Sequence, residues 1–214
     1  MAFPKTTTID GPAGSGKSTK AQWLAAAMSG IGIDSGSIYR IIANELLLCD
    51  ISPTDAEMIE EHIGHLDIDI ENGIATHIGG LFIPYKRLKS LAVTQVVSAT
   101  SRNLFIRNKV NGLIQQYVAG LDVPVVCEGR DAATVILPDA ECKIYLYTSP
   151  EIRSLRTGYT LADIKARDIS DMTTKGTGNL ISLEEAQAAS YHIVDSCGTD
   201  EEVQQALLEI VSQY

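Results

Sequence analysis

The stretch IDGPAGSGKST, residues 9–19, restricts the fold of this chain more than any other feature. Gly11, Gly16, Lys17 and Ser18 match the pattern G-x-x-x-x-G-K-[ST]. The β-branched segment KTTTIDG before the glycines predicts a strand, and the alanine-rich segment TKAQWLAAAMSG after them predicts a helix. A glycine turn between a strand and a helix lets backbone N–H groups and the helix N-terminus surround a phosphate. The motif therefore predicts a P-loop.

The residue types of this loop indicate which ligand it holds. Lys17 can reach the β- and γ-phosphates of a nucleoside triphosphate, and the Ser18 hydroxyl can hold Mg²⁺. We therefore expect ATP and Mg²⁺ as cofactors, with Ser18 as the metal ligand. The predicted ATP-binding residues are Gly11, Pro12, Ala13, Gly14, Ser15, Gly16, Lys17, Ser18 and Thr19.

Short apolar segments further along the chain predict the rest of a sheet. IGIDSG, VPVVCEG, CKIYLYTS and YHIVDS are too brief for helices and are bounded by Pro, Gly or Ser. Together with KTTTIDG they give five strands separated by helical patterns. This order predicts an α/β fold of the P-loop type, with a five-stranded parallel sheet flanked by helices.

Two segments differ from this pattern and predict additions to a single domain. HLDIDIENGIATHIGG alternates and turns at Asn72-Gly73, which predicts a hairpin in an inserted subdomain. The polar segment after Ser149 is rich in Thr, Gly and basic residues and suits a short mobile lid. The predicted boundaries are about 50–91 for the subdomain, about 153–180 for the lid, and 1–49, 92–152 and 188–214 for the core.

Composition restricts the partners and the location. The formal charge is −10 with 17 basic residues, which argues against nucleic acid or an anionic membrane as a partner. No stretch approaches the roughly 20 apolar residues of a membrane span, and no secretory leader is recognised. We expect a cytoplasmic protein, a monomer, that binds small nucleotides.

The cysteines and histidines carry no obvious metal signature. Cys49, Cys127, Cys142 and Cys197 lack C-x-x-C spacing, so we interpret all four as reduced, small apolar residues. His62 and His65 lie three positions apart on a polar helical segment, and solvated side chains are the preferred interpretation over a metal site.

Charged side chains follow the second and third predicted strands. Asp34, Ser35 and Arg40 follow one, and Arg130 and Asp131 follow the other. The carboxyl ends of parallel strands are where open α/β sheets bind ligands, so these residues can form a site for an anion that also offers hydrogen-bond donors. The competing interpretation makes the two arginines structural ion-pair partners of Asp34 and Glu128.

Four motifs in this order resemble those of the cytidylate kinase family. They are IDGPAGSGKS, DSGSIYR, GRDAATVILPDAECKIYL and IKARDISD, and the likeness extends to TQVVSATSR and HIVDS, so it spans nearly the whole chain. The resemblance implies transfer of the γ-phosphoryl group of ATP to CMP or dCMP. A kinase for another nucleoside monophosphate, or a catalytically weakened nucleotide sensor, is the alternative.

The resemblance also implies roles for individual residues. Arg40 and Arg130 would hold the acceptor phosphate, Asp131 and Ser101 would read the cytosine ring, and a ribose-contacting pair would follow in IKARDISD. A further family arginine matches either Lys109 or, less neatly, Arg107. The implied CMP-binding residues are Ser35, Arg40, Ser101, Arg107, Lys109, Arg130, Asp131, Arg167 and Asp171.

The lid departs from the family pattern. Thr157 and Thr174 stand where lid arginines are expected, and the segment between Arg156 and Ile164 is short. We expect Arg153 and Arg156 to remain as lid cations and Lys175 to supply the missing charge. The predicted catalytic residues are Lys17, Arg40, Arg130, Arg153, Arg156 and Lys175.

Overall fold

The computed structural model describes residues 3–173 and 180–214, which form two compact units. Unit 1 comprises the described residues of 1–33 and 121–214, and unit 2 comprises residues 34–120. The segment predicted as the insertion, 50–91, falls inside unit 2, which also takes in the flanking helices. The predicted lid catalyst Lys175 and its neighbour Thr174 lie outside the described residues.

A five-stranded sheet carries the predicted P-loop fold. Its order is β2-β6-β1-β7-β8, and β1 pairs in parallel with both β6 and β7. This confirms the α/β prediction with a parallel sheet flanked by helices. The strands are β1 (Thr6–Asp10), β2 (Ile31–Asp34), β6 (Val125–Gly129), β7 (Cys142–Tyr147) and β8 (His192–Asp195).

Helices cover this sheet in unit 1. A core of buried side chains joins β1, β7 and β8 to two helices and includes Ile9, Leu24, Leu146 and Leu207. Burying such a side chain fully contributes about 1.5–3 kcal/mol. The helices of unit 1 are α1 (Lys17–Ala27), α7 (Pro150–Thr157), α8 (Leu161–Thr173), α9 (Leu183–Ala188) and α10 (Asp200–Val211), with a π-helix at Ala132–Ile136.

Unit 2 combines helices with a small antiparallel sheet of order β3-β4-β5. The predicted turn joins β3 to β4, and Asn72 and Gly73 both have positive φ, 49° and 78°, as a tight hairpin requires. Unit 2 contains α2 (Ser35–Leu48), α3 (Ala56–Gly64), β3 (Ile68–Glu71), β4 (Ile74–Ile78), β5 (Leu81–Phe82), α4 (Tyr85–Leu88), α5 (Leu91–Thr100) and α6 (Leu104–Ala119).

One buried helix organises unit 2. α2 packs against β4, α4, α5 and α6. Its N-terminus is capped by Asp34, whose carboxylate accepts a hydrogen bond from Ser37 N at 3.1 Å. In the residues described for these two units, the helices are too short or too polar to cross a membrane.

Candidate active site

The glycine turn joins β1 to α1 with the geometry that the motif predicts. Gly11, Gly14 and Gly16 have φ values of 150°, 76° and 90°. A Cβ atom at Gly11 would lie 2.5 Å from the Leu146 carbonyl oxygen, which is too close for any other residue type. The turn therefore depends on glycine for its close approach to β7 as well as for its backbone conformation.

Lys17 is buried behind this turn. Its side chain is 7% exposed, and Nζ donates to the Pro12 carbonyl oxygen at 2.8 Å. Burial, the largest cause, and the charge of Arg130 together lower the pKa of Lys17 to about 7, while Glu128 and Asp10 act in the opposite direction. A phosphate placed against this amine would stabilise its protonated form.

Ser18 and Glu128 bring two hard oxygen ligands together. Ser18 Oγ donates to Glu128 Oε1 at 2.9 Å, and Glu128 is 7% exposed near the end of β6. Hydroxyl and carboxylate oxygens are the ligands that Mg²⁺ prefers. The donor set at the start of α1 therefore fits the predicted metal, and it adds Glu128, which the sequence analysis treated as an ion-pair partner of Arg130.

Asp10 fixes the segment that follows β6. Its fully buried carboxylate accepts hydrogen bonds from Ala132 N at 2.7 Å and Ala133 N at 3.0 Å. Burial raises the pKa of Asp10 to about 6, against the lowering effect of these two bonds. The carboxylate thereby holds the π-helix directly after Arg130 and Asp131, and Asp131 itself is 5% exposed.

Arg130 lies between the P-loop and α8. Nη1 donates to the Gly11 carbonyl oxygen at 3.3 Å, and Nε forms an ion pair with Asp171 Oδ2 at 3.1 Å. Burial lowers the pKa of Arg130, Asp171 raises it, and the charge of the exposed Arg167 lowers it again. Three of the residues predicted to bind CMP are therefore neighbours, and the ion-pair partner of Arg130 is Asp171.

Arg153 is buried instead of presented on a lid. The residue is 2% exposed, Nε donates to Thr148 O at 3.0 Å, and Nη1 donates to Ala13 O at 3.2 Å. The guanidinium also pairs with both oxygens of Asp168, at 2.8 and 2.5 Å. This fork holds α7, α8 and the P-loop together.

Arg156 is exposed and lies near the other side of the loop. Nη2 donates to Ser196 O at 2.7 Å, and Ser196 Oγ donates to Ser15 O at 3.2 Å. Arg156 is therefore connected to the P-loop backbone through Ser196, and its exposed side chain is accessible to solvent and ligands.

The remaining predicted acceptor residues belong to unit 2. Arg40 is half-buried, and its Nη1 donates to Leu88 O at 3.2 Å and to Thr94 Oγ1 at 3.1 Å. Ser35, at the start of the same helix, is 6% exposed. Arg40 is therefore held by polar groups of the α4–α5 region.

The two candidates for the further family arginine have different neighbours. Arg107 Nη1 donates to the Ser101 carbonyl oxygen at 3.0 Å, whereas Lys109 Nζ donates to Gly64 O at 3.2 Å. Burial lowers the pKa of Lys109. Arg107 therefore contacts the predicted base-reading Ser101, whereas the side chain of Lys109 reaches from α6 to the last residue of α3, Gly64.

Sequence reasoning missed Asp10, Glu128 and Asp168 as members of this site. Asp10 and Glu128 each lie at or next to the end of an otherwise apolar strand, and that position was the available signal. Asp168 lies 15 residues from Arg153, and no spacing rule connects them.

The fold and the phosphate cradle define a P-loop protein of the nucleotide-binding α/β class. Two solved structures share this fold: TT1252 from Thermus thermophilus, with 17% identity, a TM-score of 0.54 and coverage of 99% of this chain and 98% of the other, and a gluconokinase from Sinorhizobium meliloti, with 15% identity, a TM-score of 0.51 and coverage of 100% and 94%.

The family model described as Cytidylate kinase matches residues 7–213, and the chain belongs to this family. A probable cytidylate kinase of Vairimorpha ceranae is 37% identical over 83% of this chain and 85% of the relative. The cytidylate kinase of Mycobacterium leprae is 33% identical over 96% and 94%, and that of Caldicellulosiruptor saccharolyticus is 35% identical over 94% and 93%.

Proposed function

We propose that this protein transfers the γ-phosphoryl group of ATP to CMP or dCMP, giving CDP or dCDP. The observation that carries the proposal is the buried Lys17 behind a phosphate-binding turn, in a chain that belongs to the cytidylate kinase family. Transfer between two phosphorylated ligands chiefly requires positioning and charge neutralisation.

The donor side follows from unit 1. ATP would place its phosphates against the loop N–H groups, and its negative charge would restore the proton on Lys17, whose pKa is about 7 in the free protein. Ser18 and Glu128 would hold Mg²⁺. When bound, this ion neutralises charge on the phosphate oxygens.

Two arginines, each held by its own polar neighbours, carry the acceptor side of the proposal. Arg130 is already oriented by Asp171 and Gly11 O, and Arg40 by Thr94 and Leu88 O. We assign the acceptor phosphate to these two arginines. A phosphate monoester has a second pKa of about 6, so its oxygen is a nucleophile at neutral pH without a general base.

Recognition of the base and sugar is part of the same proposal. Asp131 would accept from the N4 amino group of cytosine, and Ser101 would add a second contact. Arg167 and Asp171 would contact the ribose. Of the two candidate residues on α6, we favour Arg107, because it hydrogen-bonds to Ser101.

The three basic residues predicted for the lid receive two different roles. The contacts of Arg153 with Ala13 and Asp168 support a positioning role for the P-loop. Arg156, which is exposed, and Lys175 are the proposed lid cations. A cytoplasmic location, a monomeric state and pyrimidine nucleotide metabolism complete the proposal.

A spectrophotometric assay of ADP release, with CMP, dCMP, UMP or AMP at equal concentrations, tests the acceptor. We expect CMP or dCMP to exceed UMP in kcat/KM by more than about tenfold, because uracil carries an oxygen where cytosine carries the N4 amino donor, and a site built to pair with a polar base atom rejects analogues that lack it. Equal rates with all four would refute the cytosine assignment, and tight ATP binding without transfer would support the sensor alternative, which the named relatives do not favour.

The variant Asp131→Ala separates base recognition from catalysis in general. Its kcat/KM for CMP should fall toward the value for UMP, which lacks the N4 amino group, while ATP binding stays unchanged. An Asp131→Ala enzyme with the full preference for CMP would contradict the role assigned to this carboxylate.

A further inference from the structure

Three side chains of different chemistry converge at the surface of unit 2. His62 Nε2 lies 2.9 Å from Glu45 Oε1 and 3.3 Å from Cys49 Sγ, and that sulfur lies 3.5 Å from the same Glu45 oxygen. Within residues 3–173 and 180–214, they form a group whose ligand atoms all lie within 4.8 Å of one another. A thiol, an imidazole and a carboxylate are the three common zinc ligands.

The backbone holds these groups in place. Glu45 and Cys49 are one turn apart at the end of α2, where Cys49 N donates to Glu45 O at 3.0 Å and Ile51 N closes the helix on Leu46 O at 2.9 Å. His62 lies on α3, which is anchored by two fully buried isoleucines, Ile59 and Ile63. Because α2 and α3 both pack on α6, the three ligands are carried by one framework.

The spacing of the three atoms is close to that of a metal site. Bonds of about 2.0–2.2 Å to nitrogen and oxygen and about 2.3 Å to sulfur give tetrahedral ligand separations of about 3.3–3.6 Å. The observed separations of 2.9, 3.3 and 3.5 Å need to expand by only a few tenths of an ångström. We propose that Glu45, Cys49 and His62 bind one divalent ion of the zinc class, with water in the fourth position.

Ligand softness selects the ion. Thiolate and imidazole favour Zn²⁺ and Co²⁺ over Mg²⁺ and Ca²⁺, so this site is distinct in chemistry from the oxygen-only set at Ser18. The thiolate form of a cysteine is the metal ligand, so binding at Cys49 would release the thiol proton.

Solvent reaches the site, and the ion would join two helices. Cys49 is exposed, and the side chains of His62 and Glu45 are 33% and 15% exposed. The bound ion would link the C-terminus of α2 to α3. Cys49, which was interpreted as a small apolar residue, is instead exposed and contacts two polar side chains. His62, which was interpreted as a solvated side chain, is partly exposed and contacts Glu45 and Cys49.

Titration of the whole, nucleotide-free chain with Co²⁺ tests the site. We expect a saturable thiolate-to-cobalt absorption band at one equivalent, displaced by Zn²⁺. Cys49→Ala should abolish the band, and His62→Asn should weaken binding by at least about 10- to 100-fold, the loss that even outer-shell partners cause. His65→Asn, an exposed histidine at the end of the same helix, is the matched control and should bind like the unaltered chain.

A measurement on the unaltered chain does not depend on how the variants fold. Stoichiometric Zn²⁺ should protect Cys49 from alkylation by iodoacetamide, as measured by peptide mass mapping, while the partly exposed Cys197 serves as the internal reference. Either of two results would overturn the proposal: alkylation of Cys49 that Zn²⁺ does not affect, or a cobalt band that survives in Cys49→Ala. Glu45, Cys49 and His62 would then be a group of hydrogen-bonded surface side chains that binds no metal.

Discussion

Removing the charge of Asp168 should destabilise unit 1 strongly. Asp168 accepts both arms of the Arg153 guanidinium, at 2.8 and 2.5 Å, and Arg153 is 2% exposed. The substitution Asp168→Asn keeps the shape of the side chain but leaves a buried cation without its counterion. The same guanidinium donates to Ala13 and Thr148, so these two carbonyls become its remaining partners.

The expected magnitude follows from this burial. Breaking a buried ion pair by neutralising one partner costs about 3–5 kcal/mol. For a protein of this size, each kcal/mol lowers Tm by about 2–4 °C, which gives a decrease of roughly 6–20 °C.

Urea denaturation and calorimetry of the full chain measure this effect. The matched control is Asp139→Asn, the same chemical change at an exposed position, which should alter the free energy of unfolding by less than about 0.5 kcal/mol. A double-mutant cycle with Arg153→Met isolates the coupling, because the double variant loses both charges and should recover part of the stability.

Two results would refute the reasoning. If Asp168→Asn were as stable as Asp139→Asn, Arg153 would not depend on its carboxylate partner. If it were fully stable but lost phosphoryl transfer, Arg153 would act on the substrate, as the sequence alone suggested.

Three other perturbations test the donor site. The free Lys17 has a pKa of about 7, and bound phosphate favours its protonated form, so ATP binding should take up about one proton at pH 8 and none at pH 6. Calorimetry in buffers of different ionisation enthalpy measures this proton uptake, and zero uptake at pH 8 would contradict the assignment. Gly11→Ala should lower the free energy of unfolding by at least about 1–3 kcal/mol, because the new Cβ would lie 2.5 Å from the Leu146 carbonyl oxygen. The control Gly112→Ala, in open space on a helix, should leave the free energy of unfolding unchanged or raise it. Glu128→Gln should raise the Mg²⁺ concentration for half-maximal turnover at least about tenfold, and an unchanged requirement would remove Glu128 from the metal site.

Local patterns were sufficient to predict the sheet and the P-loop. Four of the five strands were visible as short apolar runs next to Gly, Pro or Ser, and β1 was visible as a β-branched run before the glycine turn; all five lie in one sheet. The hairpin at Asn72 and Gly73 was also predicted from a local pattern, because both residues favour the positive φ that its turn requires. The third strand of that small sheet, β5, is two residues long and carries no periodic signal.

The site was less accessible to sequence reasoning, because its contacts join distant residues. Arg153 was expected on a lid, since the segment after Ser149 is polar, but it pairs with Asp168 of the next helix, α8, and is buried. Asp171 pairs with Arg130, and Cys49 meets His62 across two helices. Spacing rules describe neighbours within one element, whereas these pairs depend on how elements pack.

Transfer of labelled phosphate tests the central claim most directly. The protein is incubated with ATP labelled at the γ-phosphate, Mg²⁺ and CMP, and the products are separated by chromatography. The account predicts label in CDP, its loss in Lys17→Met, and its retention in Lys165→Met, which alters an exposed lysine on α8. Label that stays in ATP, or that appears only in inorganic phosphate, would contradict it.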